Sequence, residues 1–417
     1  MASNLAPSMS DQAKAAGGGR PPFAAWLSTT NDVTKTFLSV AERADVINLA
    51  GGLPEPATYP AEELAGLAAE ALRKHGTEVL GYSQIDGLPA LRDRLAERFS
   101  DEHVRLTREN VIVTTAGMQA LDLIGKVLLE KGSVIAAHAP TYLGAIDAWR
   151  PRAPRYRPFT PGSSMLDYPT AFEGASFAYT VPNFSNPSGK LVTHGQRVAM
   201  VEAAHQTGVW LVEDDPYGGL YYDGAPLPRL LSLSGRLLGE AGAEPYRGPV
   251  IYTGTLSKEV APGLRVGWVI AAPEMIRALT VAKQGSDMCT SGLSQRLALD
   301  ALDARLPERM QPQILALYRA RRDALCDAME EHLGSLFVWE KPQGGMFVWA
   351  TARNPSLDTD ALMRLGLEEG VCVTPSSVFD VTGEDRRAIR INFTLNAPER
   401  LHEGVRRLAV AARRLAQ

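Results

Sequence analysis

Between residues 111 and 271 the chain alternates short apolar runs rich in β-branched residues with stretches of helical period. This alternation restricts the fold more than any other feature. "VIVTT" (111–115), "SVIAAH", "SFAYTVP", "VWLVEDD" (209–215), "VIYTGTLS" and "LRVGWVIAA" read as strands, and "QALDLIGKVLLEKG" and "HGQRVAMVEAAHQTG" read as helices between them. Near-continuous apolar strands are buried on both faces, which predicts a mostly parallel sheet covered by helices on each side. In such sheets, ligands sit beyond the carboxyl ends of the strands. The chemically interesting residues of this chain cluster at those ends.

From about residue 300 the character changes. "QPQILALYRARRDALCDAMEEHL" suits a long helix, "FVWEKPQGGMFVWA" two strands around a Gly-Gly turn, and "DALMRLGLEEGVCVTPSS" with "RAIRINFTL" completes an α+β segment closed by a helix. The predicted fold class is therefore α/β, with a large domain over 45–300 and a smaller α+β C-terminal domain over 301–417. "GLPALRDRLAERF" places Leu88, Leu91, Leu95 and Phe99 on one helical face. Residues 23–44 read as an arm, and 1–22, rich in Ala, Gly, Ser and Pro, as a disordered tail.

A net charge of −4 and a pI near 6.0 give no basic field for nucleic acid. No apolar run approaches the about eighteen residues of a membrane span. The start of the chain lacks the basic end and apolar core of a secretory signal. Three cysteines, far apart and odd in number, suit a reducing cytoplasm. The histidines show neither HxH nor HExxH spacing, so no metal site is expected.

Four strand ends carry a chemical signal. "TTAGMQALDL" runs a Gly turn into a helix start, where free backbone N–H groups suit an anion such as phosphate; the same motif also serves simply to turn a chain. "VPNFSNPSGKLVT" holds Asn186 in a rigid loop, where its amide can reach a ring hydroxyl or merely stabilise a turn. "LVEDDPYGGL" ends an apolar strand on Glu213, Asp214 and Asp215, with Tyr217 following. A carboxylate at a buried strand end needs a cationic partner, for which a protonated heteroaromatic nitrogen would serve; the plainer readings are a solvated acidic loop or a metal site, the latter weakened because Mg²⁺-type sites usually need substrate phosphates too. "TGTLSKEVAPGLRVGW" places Lys258 beside Thr255 and Ser257, with Arg265 beyond. Such a lysine can form a Schiff base with an aldehyde, and the hydroxyls and arginine suit a phosphate; a surface lysine at a strand end is the alternative. Taken together, phosphate donors, an Asn and a Tyr for a phenolic oxygen, an Asp for a pyridinium and a lysine for an aldehyde describe pyridoxal 5'-phosphate.

The motifs "NLAGGLPEP", "GYSQIDGLPALR", "VTTAGMQALDL", "APTYLGA", "VPNFSNPSG", "VEDDPYGGL", "TGTLSKEVAPGLRVGW" and "IRINF" occur in that order. With them the chain resembles the fold-type I pyridoxal-phosphate enzymes, the class I/II aminotransferases, in the branch with 2-aminoadipate, multisubstrate and aromatic aminotransferases, over roughly residues 45–415. The resemblance implies an aspartate aminotransferase fold (PLP-dependent transferase-like), a cytoplasmic homodimer, and transfer of an amino group from an L-amino acid to a 2-oxo acid. It implies that Lys258 carries the cofactor and acts as acid and base at Cα, and that Asp214 pairs with the pyridinium nitrogen. Tyr217 and Asn186 would hold the ring 3-oxygen, and Tyr142 would stack on the ring. The backbone of Gly117, Met118 and Gln119, with Thr255, Ser257 and Arg265, would hold the phosphate. Tyr82 would reach the phosphate of the neighbouring subunit, Arg390 would grip the substrate α-carboxylate, and the loop at Gly52 would pass near the substrate.

The chain also departs from the family pattern. Met118 stands where a small hydroxyl residue is usual, Thr255 replaces Ser, and His138 with Ala139 replaces an acidic residue before "PTY". The arm segment "WLSTTNDVTKTFLS" has no arginine. Aminoadipate-type relatives use one for the second carboxylate, so apolar or aromatic substrates are expected over acidic ones. A decarboxylase, lyase, cyclase or oxidase acting through the same cofactor remains the alternative. A regulator is the remote one, since the segment before the fold lacks a helix-turn-helix pattern.

Overall fold

The computed structural model describes residues 22–29, 43, 45–239 and 245–416. The predicted tail and most of the predicted arm lie outside the described residues, apart from a short 3-10 turn at Ala25–Thr29. Thirteen strands are described: β1 Ile47–Asn48, β2 Val111–Thr114, β3 Val134–His138, β4 Arg155–Phe159, β5 Phe177–Thr180, β6 Trp210–Asp214, β7 Val250–Thr255, β8 Gly267–Ile270, β9 Phe337–Trp339, β10 Phe347–Ala352, β11 Val371–Cys372, β12 Thr374–Pro375 and β13 Ala388–Asn392.

The central sheet has the order β2-β8-β7-β6-β5-β3-β4. Its neighbours are parallel except around β8, which is antiparallel to both β2 and β7. The reversal has a consequence for chemistry. It brings the amino end of β8 to the edge where the other strands end, so that Gly267 stands opposite both Thr255 and Thr114. Arg265, just before β8, is thereby delivered to the ligand edge. The two faces of the sheet are apolar, as the runs predict. Ile112, Ile135, Phe177 and Val212 pack with Leu121 and Ile124 of the helix Ala116–Leu128. Val113, Ala136, Ala178 and Leu211 pack on the other side with Met200 and Leu230 from the helices His194–Thr207 and Leu230–Leu238.

Strand β4 was not expected. Its sequence, "RYRPF", carries two arginines and a proline because it is an edge strand with one free side. The helix predicted from Leu88 onward runs Pro89–Phe99, with Leu91, Leu95 and Phe99 buried and Leu88 just before it.

A second, antiparallel sheet has the order β12-β13-β10-β9, with β9 and β10 flanking the predicted Gly344-Gly345 turn. Residues 47–49, placed by the sequence at the start of the large domain, pair with the C-terminal elements: β1 pairs with β11, and Asn392 N donates to Leu49 O at 2.7 Å. The boundary at 300 falls inside the helix Gly292–Asp303, whose Leu299 and Leu302 pack in the cluster of Leu91 and Leu95. One apolar cluster also runs from Ile112 and Ile135 through to Val348, Ile389 and Val405, so the two regions share a core. No helix among the described residues is long and apolar enough to cross a membrane.

Candidate active site

A cavity of ≈ 470 Å³ opens at the carboxyl ends of the central strands. It brings together Gly52, Gly117, Met118, Tyr142, Asn186, Asp214, Tyr217, Thr255, Ser257, Lys258, Arg265 and Arg390. Gln119 and Tyr82 stand outside it. These residues come from every strand end the sequence singled out and from β13 of the second sheet.

One end of the cavity is built for an anion. The helix Ala116–Leu128 starts there with no side-chain cap, because the hydroxyl of Thr115 is drawn to Asp287 Oδ2 (2.9 Å) and Thr290 Oγ1 (3.3 Å). Its first-turn N–H groups remain available, with the positive end of the helix dipole behind them. Ala116 begins the helix at a φ of +63°, a left-handed conformation that costs a non-glycine residue about 1–2 kcal/mol. Opposite lie Thr255 and Ser257, whose hydroxyls are 2.9 Å apart. Arg265, also left-handed at a φ of +53°, is exposed at the rim and has no carboxylate partner among the described residues. Backbone N–H groups, two hydroxyls and a guanidinium together suit a phosphate.

The side chain of Gln119 has a separate task. Its Oε1 accepts from Thr115 N and from Lys283 Nζ, both at 2.8 Å. Its side chain therefore braces the helix start from behind, and only its backbone can face an anion. Lys283 was missed altogether. Its side chain is fully buried and also donates to both Asp287 oxygens, at 2.7 and 2.9 Å. Nothing in "VAKQGSD" distinguishes this lysine from one on a solvated helix face.

The three acids ending β6 have separate fates. Glu213 accepts from the backbone N–H groups of Leu230 and Leu231, both at 2.9 Å, at the start of a helix. Asp215 accepts from Asn183 and Tyr252. Asp214 alone lines the cavity, where it accepts from Tyr179 (2.7 Å) and Thr253 (2.9 Å). Burial pushes its carboxyl up to about 6, and no cation pairs with it among the described residues.

The opposite sign is also uncompensated. Lys258 donates to Gly52 O at 2.8 Å; burial, reinforced by Arg390 and Arg265, lowers its amine to about 8. Arg390 is buried on β13. It donates to Asn186 Oδ1 (2.6 Å) and Ala50 O (2.5 Å), lies between the rings of Phe347 and Phe379, and has no carboxylate partner among the described residues; its Nε lacks any. Burial lowers its guanidinium to about 10. Asn186 turns its Nδ2 to the Tyr217 hydroxyl at 3.4 Å. Tyr142 lies against the Met118 sulfur (3.7 Å), and burial raises its phenol to about 12. A Cβ at Gly52 would meet Phe347 Cζ at 2.9 Å, so that ring would have to shift. His138 is a buried strand-end residue on Thr180 Oγ1, lowered by burial to about 4. Tyr82 is 88% exposed and reaches no part of this chain's cavity.

A buried carboxylate without a cation and a buried guanidinium with an orphaned Nε fit a ligand with a protonated ring nitrogen and a carboxylate-bearing substrate. A phosphate cradle next to an amine of lowered basicity fits a phosphorylated aldehyde. The fold and this donor set define a pyridoxal-phosphate-dependent enzyme of fold type I, the aspartate aminotransferase architecture. The pattern of aminotransferase class I and II matches residues 44–408. The chain is 35% identical, over 90% of both chains, to aromatic-amino-acid aminotransferase 1 of Thermococcus litoralis. The solved α-aminoadipate aminotransferase LysN of Thermus thermophilus, complexed with N-(5'-phosphopyridoxyl)-L-leucine, is 34% identical with a TM-score of 0.82, covering 94% of this chain and 99% of that one. The multiple substrate aminotransferase of Thermococcus profundus is 33% identical with a TM-score of 0.84, covering 94% and 98%. The chain belongs to the class I and II aminotransferases, and its cofactor is pyridoxal 5'-phosphate.

Proposed function

We propose that the protein moves the amino group of an apolar or aromatic L-amino acid to a 2-oxo acid, working as a cytoplasmic homodimer. The observation that carries this reading is the cavity's set of unmatched charges: Asp214 on one side, Lys258 and Arg390 on the other, beside a phosphate cradle. The side-chain preference rests on the lining. Beyond Lys258, Arg265 and Arg390 it holds no further cation among the described residues, while Leu121, Leu143, Val181 and Phe379 are apolar. A second carboxylate would find no dedicated partner there. The exposed Tyr82, with Leu80 also bare, fits a surface that meets a second subunit.

When bound, the cofactor supplies an electron sink for the charge left on the amino acid Cα. The helix start, Thr255, Ser257 and Arg265 would hold its phosphate, and Tyr82 would add a hydroxyl from a neighbouring subunit. Asp214 would keep the proton on the ring nitrogen. Asn186 and Tyr217 would hold the ring 3-oxygen, and Tyr142 would cover the ring face. Arg390 binds the α-carboxylate with its planar fork, while Phe347 and Phe379 keep water off its faces. Lys258, which would carry the cofactor and whose amine is held at lowered basicity, is the group that would take the proton from the substrate Cα.

A half-reaction tests this. The protein loaded with pyridoxal phosphate is mixed with single amino acids, without any oxo acid or oxygen. One equivalent of 2-oxo acid per site, formed from apolar or aromatic amino acids, is expected. Release of ammonia or carbon dioxide instead would refute transfer.

A further inference from the structure

We propose that Glu331, His332 and His402, none of which lines the cofactor cavity, form a binding site for one divalent transition-metal ion of the Zn²⁺ class. Glu331 and His332 close the helix Leu306–Leu333, and His402 lies in the first turns of the helix Pro398–Ala416. The two imidazoles meet edge to face, with ring centres 4.8 Å apart, and each brings its Nε2 to the contact. Their Nε2 atoms are 3.3 Å apart. Glu331 reaches both: Oε2 is 3.2 Å from His402 Nε2, and Oε1 is 3.6 Å from His332 Nε2.

These separations match a coordination sphere. Ligands at about 2.05 Å from a tetrahedral metal stand about 3.3 Å from each other. Two neutral imidazoles and one carboxylate are a borderline-soft set that suits Zn²⁺, Co²⁺ or Ni²⁺ over Mg²⁺ or Ca²⁺. The set leaves a fourth position for water. The side chain of His332 is only 18% exposed, so its ring is held in place, whereas Glu331 and His402 keep the site open to solvent. An ion there would tie the end of the longest helix to the terminal helix. Spacing along the chain gave no hint of this site because the histidines are seventy residues apart.

The test uses the full-length holoenzyme after chelation and dialysis, titrated with Zn²⁺ by calorimetry and with Co²⁺ by visible absorbance. One equivalent of Zn²⁺ should bind per chain and raise the unfolding temperature, and Co²⁺ should develop the strong visible bands of tetrahedral coordination. His332→Ala and His402→Ala should each lower Zn²⁺ affinity at least about tenfold and abolish the thermal shift, with transamination unchanged. Both residues lie at helix ends, so both variants should fold, and the cofactor absorbance confirms it. Absence of saturable binding, or variants that bind Zn²⁺ as the parent does, would overturn the proposal.

Discussion

Lys258 offers the sharpest quantitative test. Burial beside Arg390 and Arg265 takes its amine from 10.5 to about 8. At pH 7 that leaves about one amine in ten neutral, against about one in three thousand for an ordinary lysine, so the nucleophile is enriched about 300-fold. The same shift acts on stability. Below pH 8 the folded apoprotein holds a charged amine in a poorly solvated site, whereas the unfolded chain holds it in water. Between about pH 8 and 10.5 the unfolded state binds more protons than the native one, so stability rises with pH and reaches its full value above 10.5. A difference of 2.5 units (10.5 − 8) corresponds to about 3 kcal/mol at most, and partial solvation of this half-buried side chain brings it to about 1–2 kcal/mol. Denaturant unfolding of the apoprotein across this pH range should show that rise. Lys258→Met should be more stable than the parent at pH 7 and lack the rise. In the parent, the rate of pyridoxal phosphate uptake should climb with a midpoint near pH 8. A midpoint at 10 or above, or identical stability curves for parent and variant, would refute the argument that burial has primed this lysine.

Two further outcomes follow from the geometry. Arg390→Lys replaces a planar fork with a point charge that cannot also keep its bonds to Asn186 and Ala50. The KM for amino acids should rise about 100-fold, with little change in cofactor affinity as read by equilibrium titration. Gly267→Ala puts a Cβ 2.8 Å from the backbone carbon of Ala116 and 2.9 Å from Gly254 O, where neither neighbour can yield as a side chain would. The helix start should be displaced, and the dissociation constant for pyridoxal phosphate should rise at least about tenfold while the secondary structure read by circular dichroism is kept.

Legibility in the sequence followed how local each determinant is. The buried strands announced themselves because apolar runs reflect burial on two faces, and most of the residues lining the cavity because they sit within a few positions of those strand ends. Edge strand β4 was invisible for the converse reason: one free side removes the need for an apolar run. The bracing of the helix Ala116–Leu128 was equally hidden. Lys283 and Gln119 meet across 164 residues, and Thr115 with Asp287 across 172, so no window of sequence contains them. The acidic cluster "EDD" shows the limit in one place. Alternation along the strand sends Asp214 toward the cavity and its two neighbours away, but only the tertiary partners reveal that Glu213 serves a helix start and Asp215 an asparagine.

The site is best understood through its electrostatics without ligand. Three cations, Lys258, Arg265 and Arg390, face a cavity in which Asp214 has no cation of its own among the described residues, while Asp147 at the wall is already paired with Arg150. Each buried member of this set shows the strain in the same direction: Lys258 and Arg390 are less basic than usual, and Asp214 is less acidic. A globular protein does not keep such charges apart for stability, because each desolvated charge costs several kcal/mol (roughly, after relaxation) unless something pairs with it. Two anionic groups, a phosphate and a substrate carboxylate, would answer the cations, and a protonated ring nitrogen would answer Asp214. The ligands therefore complete an arrangement that the chain alone leaves unfavourable, which ties the stability of the folded protein to the molecules it binds.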